Sequence, residues 1–403
     1  MEKLFMKNYK PPLSLLHILI LISLSTVAPL STDMYLPALP SMAQNFNAPA
    51  ASIQLTLTAF FIGLAVGQLL FGPLSDRFGR RKPLLIGTFV LLLAGILCSL
   101  ASNATFLIMA RVLQGFGGAA GVVLARAIIV DRSRTPTESV RLFQIMMMIG
   151  GLAPILAPMI GNLIISISHW RMVFVVLACM AVVSLFGVWR YLPETHPEEK
   201  RTASGFKNLL SVFKQVMSNR IYLGYALTVG FIFVALFAYI SASPFLFQTI
   251  FGLTPTQYTW IFGINAFGTT LAGAVSAKLV DRIAPRTQAS FGLFIMLFGV
   301  LILTILIVIQ ANLWVIMPVL FFSLACCGFI FGNASALAIQ QASKVAGTAS
   351  AILGALQFLL GACAAPLVGI MGEHTAIPMV ITMLVAIILA MLSFFGLTSV
   401  KQV

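Results

Sequence analysis

Long apolar runs, separated by short polar connections, dominate the pattern of residues along this chain. Twelve runs are long enough to cross the hydrocarbon core of a bilayer, which takes roughly 20 helical residues. The pattern therefore predicts an all-α membrane protein with twelve transmembrane helices. The runs cover residues 13–36, 50–71, 83–102, 105–130, 139–165, 170–192, 221–248, 256–277, 288–310, 313–338, 345–371 and 375–398.

A polar, charged connection near the middle of the chain divides the twelve helices into two groups of six. Asp281, after the eighth helix, lies 205 residues beyond Asp76, after the second helix, and Gly63 and Gly268 keep the same spacing. These matches predict two pseudo-symmetric bundles, an arrangement that favours rocking about a site at their interface. The predicted units are an N-terminal bundle at 1–192, a cytoplasmic linker at 193–220 and a C-terminal bundle at 221–403.

Composition excludes an ordinary soluble domain. Hydrophobic residues make up 60% of the chain and charged residues 8%, with a mean hydropathy of +1.04; soluble domains have about 25% charged residues. A net charge of +14 is typical of proteins that bind nucleic acid. Here the basic residues lie between apolar runs and not on one soluble face, which argues against that class. All but Arg111 and Arg171 fall on one side, which predicts cytoplasmic N- and C-termini and no nucleic-acid partner.

The first predicted helix carries one acid, Asp33, at its far end between Pro29 and Pro37, with Tyr35 beside it. An ionisable group in a spanning segment is costly unless it faces protein or a water-filled cavity, so its position indicates function. The alternative is a carboxylate that caps a helix end at the membrane surface.

The fourth predicted helix contains Arg111 about two turns from its start, with Gln114 one turn further on. An Arg at this depth can face a cavity and exchange charge with a carboxylate. The alternative is a side chain that snorkels to the nearer membrane face.

A tight turn at 72–82 joins the second and third helices. Gly72 and Gly79 are expected to allow close approach of the backbone, and Asp76 to pair with a nearby Arg or to lie at a helix N-terminus. The alternative is that the basic residues only set topology and bind lipid headgroups; they are Arg77, Arg80, Arg81 and Lys82.

The fifth predicted helix contains Gly151, Pro154, Pro158 and Gly161. Small residues let a membrane helix pack tightly on its neighbour, and prolines bend it. Ordinary Gly/Pro packing between membrane helices is the alternative.

These motifs resemble those of the major facilitator superfamily, and with the twelve-helix pattern the resemblance extends over the whole chain. The turn at 72–82 resembles the cytoplasmic signature, which implies a latch between helices in the outward-open state that includes Asp76, Arg77 and Arg80, with Asp131 as a partner. The run that begins at Arg111 resembles the fourth-helix motif, whose Arg is implicated in proton transfer. The fifth helix resembles the motif of antiporters, although Ala157 and Asn162 depart from it.

The stretch at 29–40 resembles the first-helix signature of the bicyclomycin/chloramphenicol-resistance (Bcr/CflA) subfamily of proton-driven drug exporters. This resemblance implies a multi-pass protein of the bacterial inner membrane, in which Asp33 takes part in binding of protons and drug. Candidates for lining the cavity from the second half are Asn265, Gln340, Gln341 and Gln357, whose orientation the sequence does not give. Candidates for contact with substrate on the seventh helix are Phe231, Phe237, Tyr239 and Phe245; the alternative is that these rings face lipid or neighbouring helices.

The predicted function is proton-coupled export of small hydrophobic drugs by alternating access, not enzymatic catalysis. The sequence has no Walker-type phosphate loop, which leaves the proton gradient as the energy source. Its five cysteines have no metal-ligand spacing, so no metal or cofactor is expected, and the chain is expected to act as a monomer surrounded by lipid. The alternatives are a carrier of a physiological metabolite, with drug export incidental, and a membrane-embedded sensor or scaffold.

Overall fold

The computed structural model describes residues 14–133, 136–201, 213–370, 372 and 374–399. Within that part, twelve helices are long and apolar enough to cross a membrane, which confirms the predicted fold class. Their bounds are α1 (Leu15–Phe46), α2 (Ala50–Phe78), α3 (Arg81–Ser99), α4 (Ala104–Arg132), α5 (Pro136–Ile167), α6 (Arg171–Tyr191), α7 (Arg220–Ile250), α8 (Pro255–Leu279), α9 (Pro285–Val308), α10 (Leu313–Gln340), α11 (Ala346–Gly369) and α12 (Ile377–Leu397). Much of the predicted linker, at 202–212, and both chain ends lie outside the described residues.

Polar side chains in the connections fix several helix starts. Asn103 caps α4 by accepting a hydrogen bond from the backbone N–H of Phe106. Thr254 caps α8 in a reciprocal capping box with Gln257. Such caps satisfy backbone donors that have no partner within the helix.

The first span is not one continuous helix. A regular helix at Leu15–Asp33 gives way to a short 3₁₀ turn at Leu36–Ala38, and a second helix follows at Leu39–Phe46. Pro37, which lacks a backbone N–H, lies in the turn. The span therefore extends ten residues beyond the predicted end at 36, and the expectation that Asp33 lies at its far end is wrong.

The two halves repeat the same packing. In the first half α4 packs against α1, α2 and α3, and α3 packs against α6; in the second half α10 packs against α7, α8 and α9, and α9 packs against α12. The repeat extends to single contacts. A Cβ on Gly63 would lie 2.8 Å from the backbone nitrogen of Phe116, and a Cβ on Gly268 would lie 2.5 Å from the ring of Phe321. Gly268 lies 205 positions after Gly63, and Phe321 lies 205 positions after Phe116.

The halves meet where α2 packs on α11 and α5 packs on α8.

We call the face that carries the turn at 72–82 the basic side, and the other face the opposite side. Among the described residues, the hydrogen bonds between the halves lie on the opposite side or at mid-depth, so this conformation is closed on the opposite side. The donors and acceptors are Gln54 to the Ser241 carbonyl, Gln248 to the Pro37 carbonyl, Thr58 to the Ala362 carbonyl, Asn162 to the Thr256 hydroxyl, and Thr270 to the Gly151 carbonyl at mid-depth.

Candidate functional site

A cavity of about 290 Å³ lies between the two halves at mid-depth. Ligand cavities in proteins usually measure about 300–1,000 Å³, so this one suits a small organic molecule. Helices α1, α2 and α5 line it from the first half, and α7, α8, α10 and α11 from the second. Most of its lining is aromatic or aliphatic, with polar side chains from Thr32, Asp33, Tyr239, Asn265, Thr269 and Thr270.

Asp33 provides the one carboxylate among the described residues that line the cavity. It is the last residue of the helix Leu15–Asp33, and the break before Pro37 leaves it 4% exposed inside the protein. Among the described residues, the lining contains no Lys or Arg and Asp33 forms no ion pair. The alternative of a cap at the membrane surface is therefore wrong.

An aromatic cluster from both halves forms one wall of the cavity. The ring of Phe61 on α2 lies 4.2 Å from that of Phe237 on α7 and 5.6 Å from that of Phe358 on α11. Phe233 joins the cluster, with its ring centroid 4.4 Å from that of Phe237. Aromatic faces packed in this way offer a large apolar surface that adapts to flat ligands.

A hydrogen-bonded pair on the second half faces the same cavity. The side-chain amide of Asn265 donates to the hydroxyl of Tyr239 at 2.9 Å, and the Tyr239 ring stacks on Phe262. Asn265, Tyr239 and Phe237 therefore lie where the sequence analysis expected them. The other expected lining residues do not line this cavity; they are Phe231, Phe245, Gln340, Gln341 and Gln357.

Arg111 is completely buried beside this site but does not line the cavity. Its guanidinium donates to the Ser31 carbonyl at 2.9 Å and to Gln114 Oε1 at 2.6 Å, and it lies 4.4 Å from the ring centroid of Phe60. Snorkelling to a membrane face is therefore wrong. The expected charge exchange with a carboxylate stays a prediction; among the described residues this conformation shows no Arg111–Asp33 ion pair.

Tyr35 connects this buried Arg to α2. Its hydroxyl shares a hydrogen bond with Thr56 Oγ1 at 2.9 Å and accepts a longer one from Arg111 at 3.4 Å, and the guanidinium carbon lies 4.6 Å from the ring centroid. Arg111 and Tyr35 thus hold the broken part of α1 against α2 and α4, directly beside Asp33.

The motif of the fifth helix borders the cavity and supports α1. Gly151 and Pro154 line the cavity, and Pro158 is buried. A Cβ on Gly161 would lie 1.7 Å from the carbonyl oxygen of Met34, so only glycine allows α5 to approach α1 this closely. The expected tight packing therefore occurs at the residue that follows Asp33.

On the basic side, Arg80 connects two carboxylates. Its Nε donates to Asp131 at 2.9 Å, and its Nη1 donates to Asp76 at 2.6 Å. Among the described residues Arg77 forms no ion pair with either carboxylate, and its guanidinium lies over the ring of Phe78. The expected close approach at Gly72 is wrong, since a Cβ there would meet nothing within 4 Å.

Glu194, which the sequence analysis missed, completes this cluster. Its carboxylate accepts the backbone N–H groups of Arg80 at 2.8 Å and Arg81 at 3.1 Å, and those of Thr195 and His196 at 2.9 Å. Partial burial alone would raise the pKa of this carboxyl, but the four N–H donors lower the pKa below its ordinary value. The signal in the sequence was an acid directly after the sixth apolar run.

Comparisons with known proteins agree with this architecture. Residues 21–366 match the family model described as Major Facilitator Superfamily. The chain is 37% identical to an uncharacterised MFS-type transporter, YdgK, of Bacillus subtilis, over 93% of each chain. It is 30% identical to the bicyclomycin resistance protein homolog of Haemophilus influenzae, over 95% of this chain and 96% of that one. A solved D-xylose-proton symporter shares the fold with a TM-score of 0.74 at 18% identity, over 93% of this chain and 96% of that one.

Proposed function

Because the chain belongs to the Major Facilitator Superfamily, and is a multi-pass membrane transporter rather than an enzyme, we propose that it exports small hydrophobic drugs in exchange for protons. The basic side faces the cytoplasm in this proposal, as do both termini, and the membrane is the bacterial inner membrane. The predicted bundles 1–192 and 221–403 are the units that rock, and the linker at 193–220 connects them.

The observation that carries the proposal is a single carboxylate, among the described lining residues, in a mainly aromatic and aliphatic cavity between the halves. An ionised carboxylate there, without a cation, is costly to bury, whereas the protonated acid is not. The buried charge of Asp33 is therefore best compensated by a proton, or by a drug that binds in place of the proton. A site that holds either a proton or a drug couples proton transport to drug transport, and this coupling is reciprocal.

The similarity to a relative named bicyclomycin resistance protein homolog supports a drug-like substrate. The aromatic cluster around Phe61 supports it as well, because it offers surface for flat apolar groups and few fixed polar partners. A dedicated metabolite carrier needs a more polar and selective lining than this cavity offers.

The proton gradient is large enough to drive such export. One proton that moves down about 100 mV and one pH unit releases roughly 3.7 kcal/mol. That energy sustains about a 500-fold gradient of a neutral substrate.

The proposed cycle assigns separate tasks to the remaining residues. Arg111, Gln114 and Tyr35 keep the broken part of α1 in place while Asp33 exchanges its proton. Arg80, with Asp76 and Asp131, acts as a latch that must rearrange as the basic side opens and closes. Gly151, Pro154, Pro158 and Gly161 set the path of α5 along the cavity.

A drug-susceptibility panel in a host without its own drug pumps tests the proposal. Expression of the protein is expected to raise resistance to several unrelated hydrophobic drugs, and a protonophore is expected to remove drug efflux from the cells. Resistance that survives the protonophore would contradict proton coupling. Unchanged susceptibility to every drug, together with uptake or release of a polar metabolite, would favour the metabolite carrier.

A further inference from the structure

The chain that leaves α6 folds back onto the turn between α2 and α3. There the Glu194 carboxylate accepts backbone hydrogen bonds from Arg80 and Arg81, which lie more than a hundred residues earlier in the sequence. The same carboxylate also accepts the N–H groups of Thr195 and His196. One side chain therefore binds the start of the connection between the halves to the basic turn.

The turn is shaped around this carboxylate. Gly79 has a φ of +87°, and a Cβ at this position would lie 2.5 Å from Glu194 Oε2. The N–H groups of Arg80 and Arg81 begin α3 and have no partners within the helix. The positive end of the helix dipole adds to their attraction for an anion.

The latch starts from the same turn. The backbone of Arg80 is bound to Glu194, while its side chain reaches Asp131 and Asp76. Thr195, the next residue after Glu194, donates its hydroxyl to the same Asp131 oxygen at 3.3 Å. The Glu194 carboxylate thus binds the backbone of Arg80, and the Asp131 carboxylate binds its side chain.

We propose that Glu194 is a positioning residue of the transport cycle: it fixes the backbone of Arg80 so that the guanidinium meets Asp131 and Asp76, and it ties the connection between the halves to this latch. The inference rests on the proposed function for its effect on transport. Glu194 does not line the drug cavity, so its contribution concerns the movement of the halves and not the binding of drug.

Transport kinetics in proteoliposomes test this role. Glu194→Gln keeps the size of the side chain but weakens its acceptance of four N–H bonds, and is expected to lower turnover about tenfold with drug affinity changed less than about twofold. The matched control is Glu198→Gln, because the Glu198 side chain is 86% exposed and pairs only with Arg201 in the described part of the chain. Unchanged turnover in Glu194→Gln, or a loss confined to drug affinity, would overturn the proposal.

A double-mutant cycle separates positioning from general destabilisation. In an Asp131→Asn background the latch is already broken, so adding Glu194→Gln is expected to change turnover by less than about twofold. Effects that multiply would show that the two residues act independently. Thr195→Val, which removes only the hydroxyl that donates to Asp131, is expected to lower turnover in the same way. If Glu194→Gln does not fold, the turnover of Thr195→Val tests the proposal in its place.

Amide hydrogen exchange tests the structural link without transport. Exchange at residues 79–82 is expected to be faster in Glu194→Gln than in the parent protein, and unchanged in Glu198→Gln. If the parent protein moves no drug, the proposed function fails, and exchange then decides the present inference alone. Equal protection of residues 79–82 in both variants would overturn it.

Discussion

At the scale of single residues, burial separates the roles of the two charged side chains near the cavity. Asp33 lines the cavity without a cationic partner in the described part of the chain, whereas Arg111 is enclosed by the Ser31 carbonyl, Gln114 and aromatic rings. A charge whose hydrogen bonds are already satisfied is suited to hold structure. A carboxyl without a cationic partner is suited to bind and release a proton.

Phe61 is expected to contribute to drug affinity, because its ring joins the aromatic groups of both halves inside the cavity. Phe61→Ala is predicted to weaken binding of an aromatic drug about tenfold or more, through loss of apolar contact worth roughly 1.5–3 kcal/mol. Equilibrium binding to the purified protein measures this change. Phe291→Ala, at a position that is 60% exposed, is the control, and equal affinities in the two variants would contradict the assignment.

Sequence alone revealed Asp33 and Arg111, because a charge inside a long apolar run is conspicuous. It did not reveal Phe61 or Phe358, because most of the 32 phenylalanines of the chain lie in apolar runs and most positions on a membrane helix face lipid or a neighbouring helix. Only the packing of α2 against α7 and α11 distinguishes the cavity rings from the others.

At the scale of elements, the contact between α1 and α5 determines where Asp33 lies. The first helix of α1 ends at Asp33, and the carbonyl of Met34 lies against Gly161. Helices approach this closely in membranes only where a small residue removes the side chain from the interface. The path of α5 is therefore part of the geometry of the cavity.

Gly161→Ala is predicted to lower stability by about 1–3 kcal/mol, because the added methyl group overlaps the Met34 carbonyl and forces α1 away from α5. Thermal unfolding in detergent measures the loss. The matched control is Gly150→Ala in the same helix, where a Cβ meets nothing within 4 Å. Equal melting temperatures for the two variants would contradict a required close approach at Gly161.

The existence and order of the helices followed from the apolar runs, but the form of α1 did not. Its last part contains Ser41, Gln44 and Asn45, so the apolar pattern fades although the span continues to Phe46. Ser41, Gln44 and Asn45 are exposed, so this short second helix alternates polar and apolar positions and does not continue the apolar run that precedes the break.

At the scale of the whole molecule, two halves with matching internal packing are joined by hydrogen bonds that lie on the opposite side or at mid-depth among the described residues. The repeated spacing in the sequence indicated related halves. It did not indicate which side is closed, because in the proposed cycle the same sequence closes each side in turn.

Gly369→Val is predicted to favour opening on the opposite side, because a Cβ at Gly369 would lie 2.7 Å from the Cβ of Ala51 across the interface. The readout is labelling of Ser241→Cys, a position that is 1% exposed in the closed form, by an impermeant thiol reagent after the exposed Cys179 and Cys363 are replaced by Ser. Labelling is expected to rise several-fold, as a population shift of about 1 kcal/mol implies. Gly396→Ala, which meets nothing within 4 Å, is the control, and equal labelling would contradict a closure at Gly369.

In the proposed mechanism, Asp33 exchanges a proton against drug in the cavity between the halves. Drug-dependent proton movement across proteoliposomes is measured for Asp33→Asn, with Asp281→Asn, an exposed acid just after α8, as the control. Asp33→Asn is expected to fold and to bind neutral drug but to move no protons when drug is added, while Asp281→Asn behaves like the parent protein. Drug-coupled proton movement at the parent rate in Asp33→Asn would exclude Asp33 as the exchanging group.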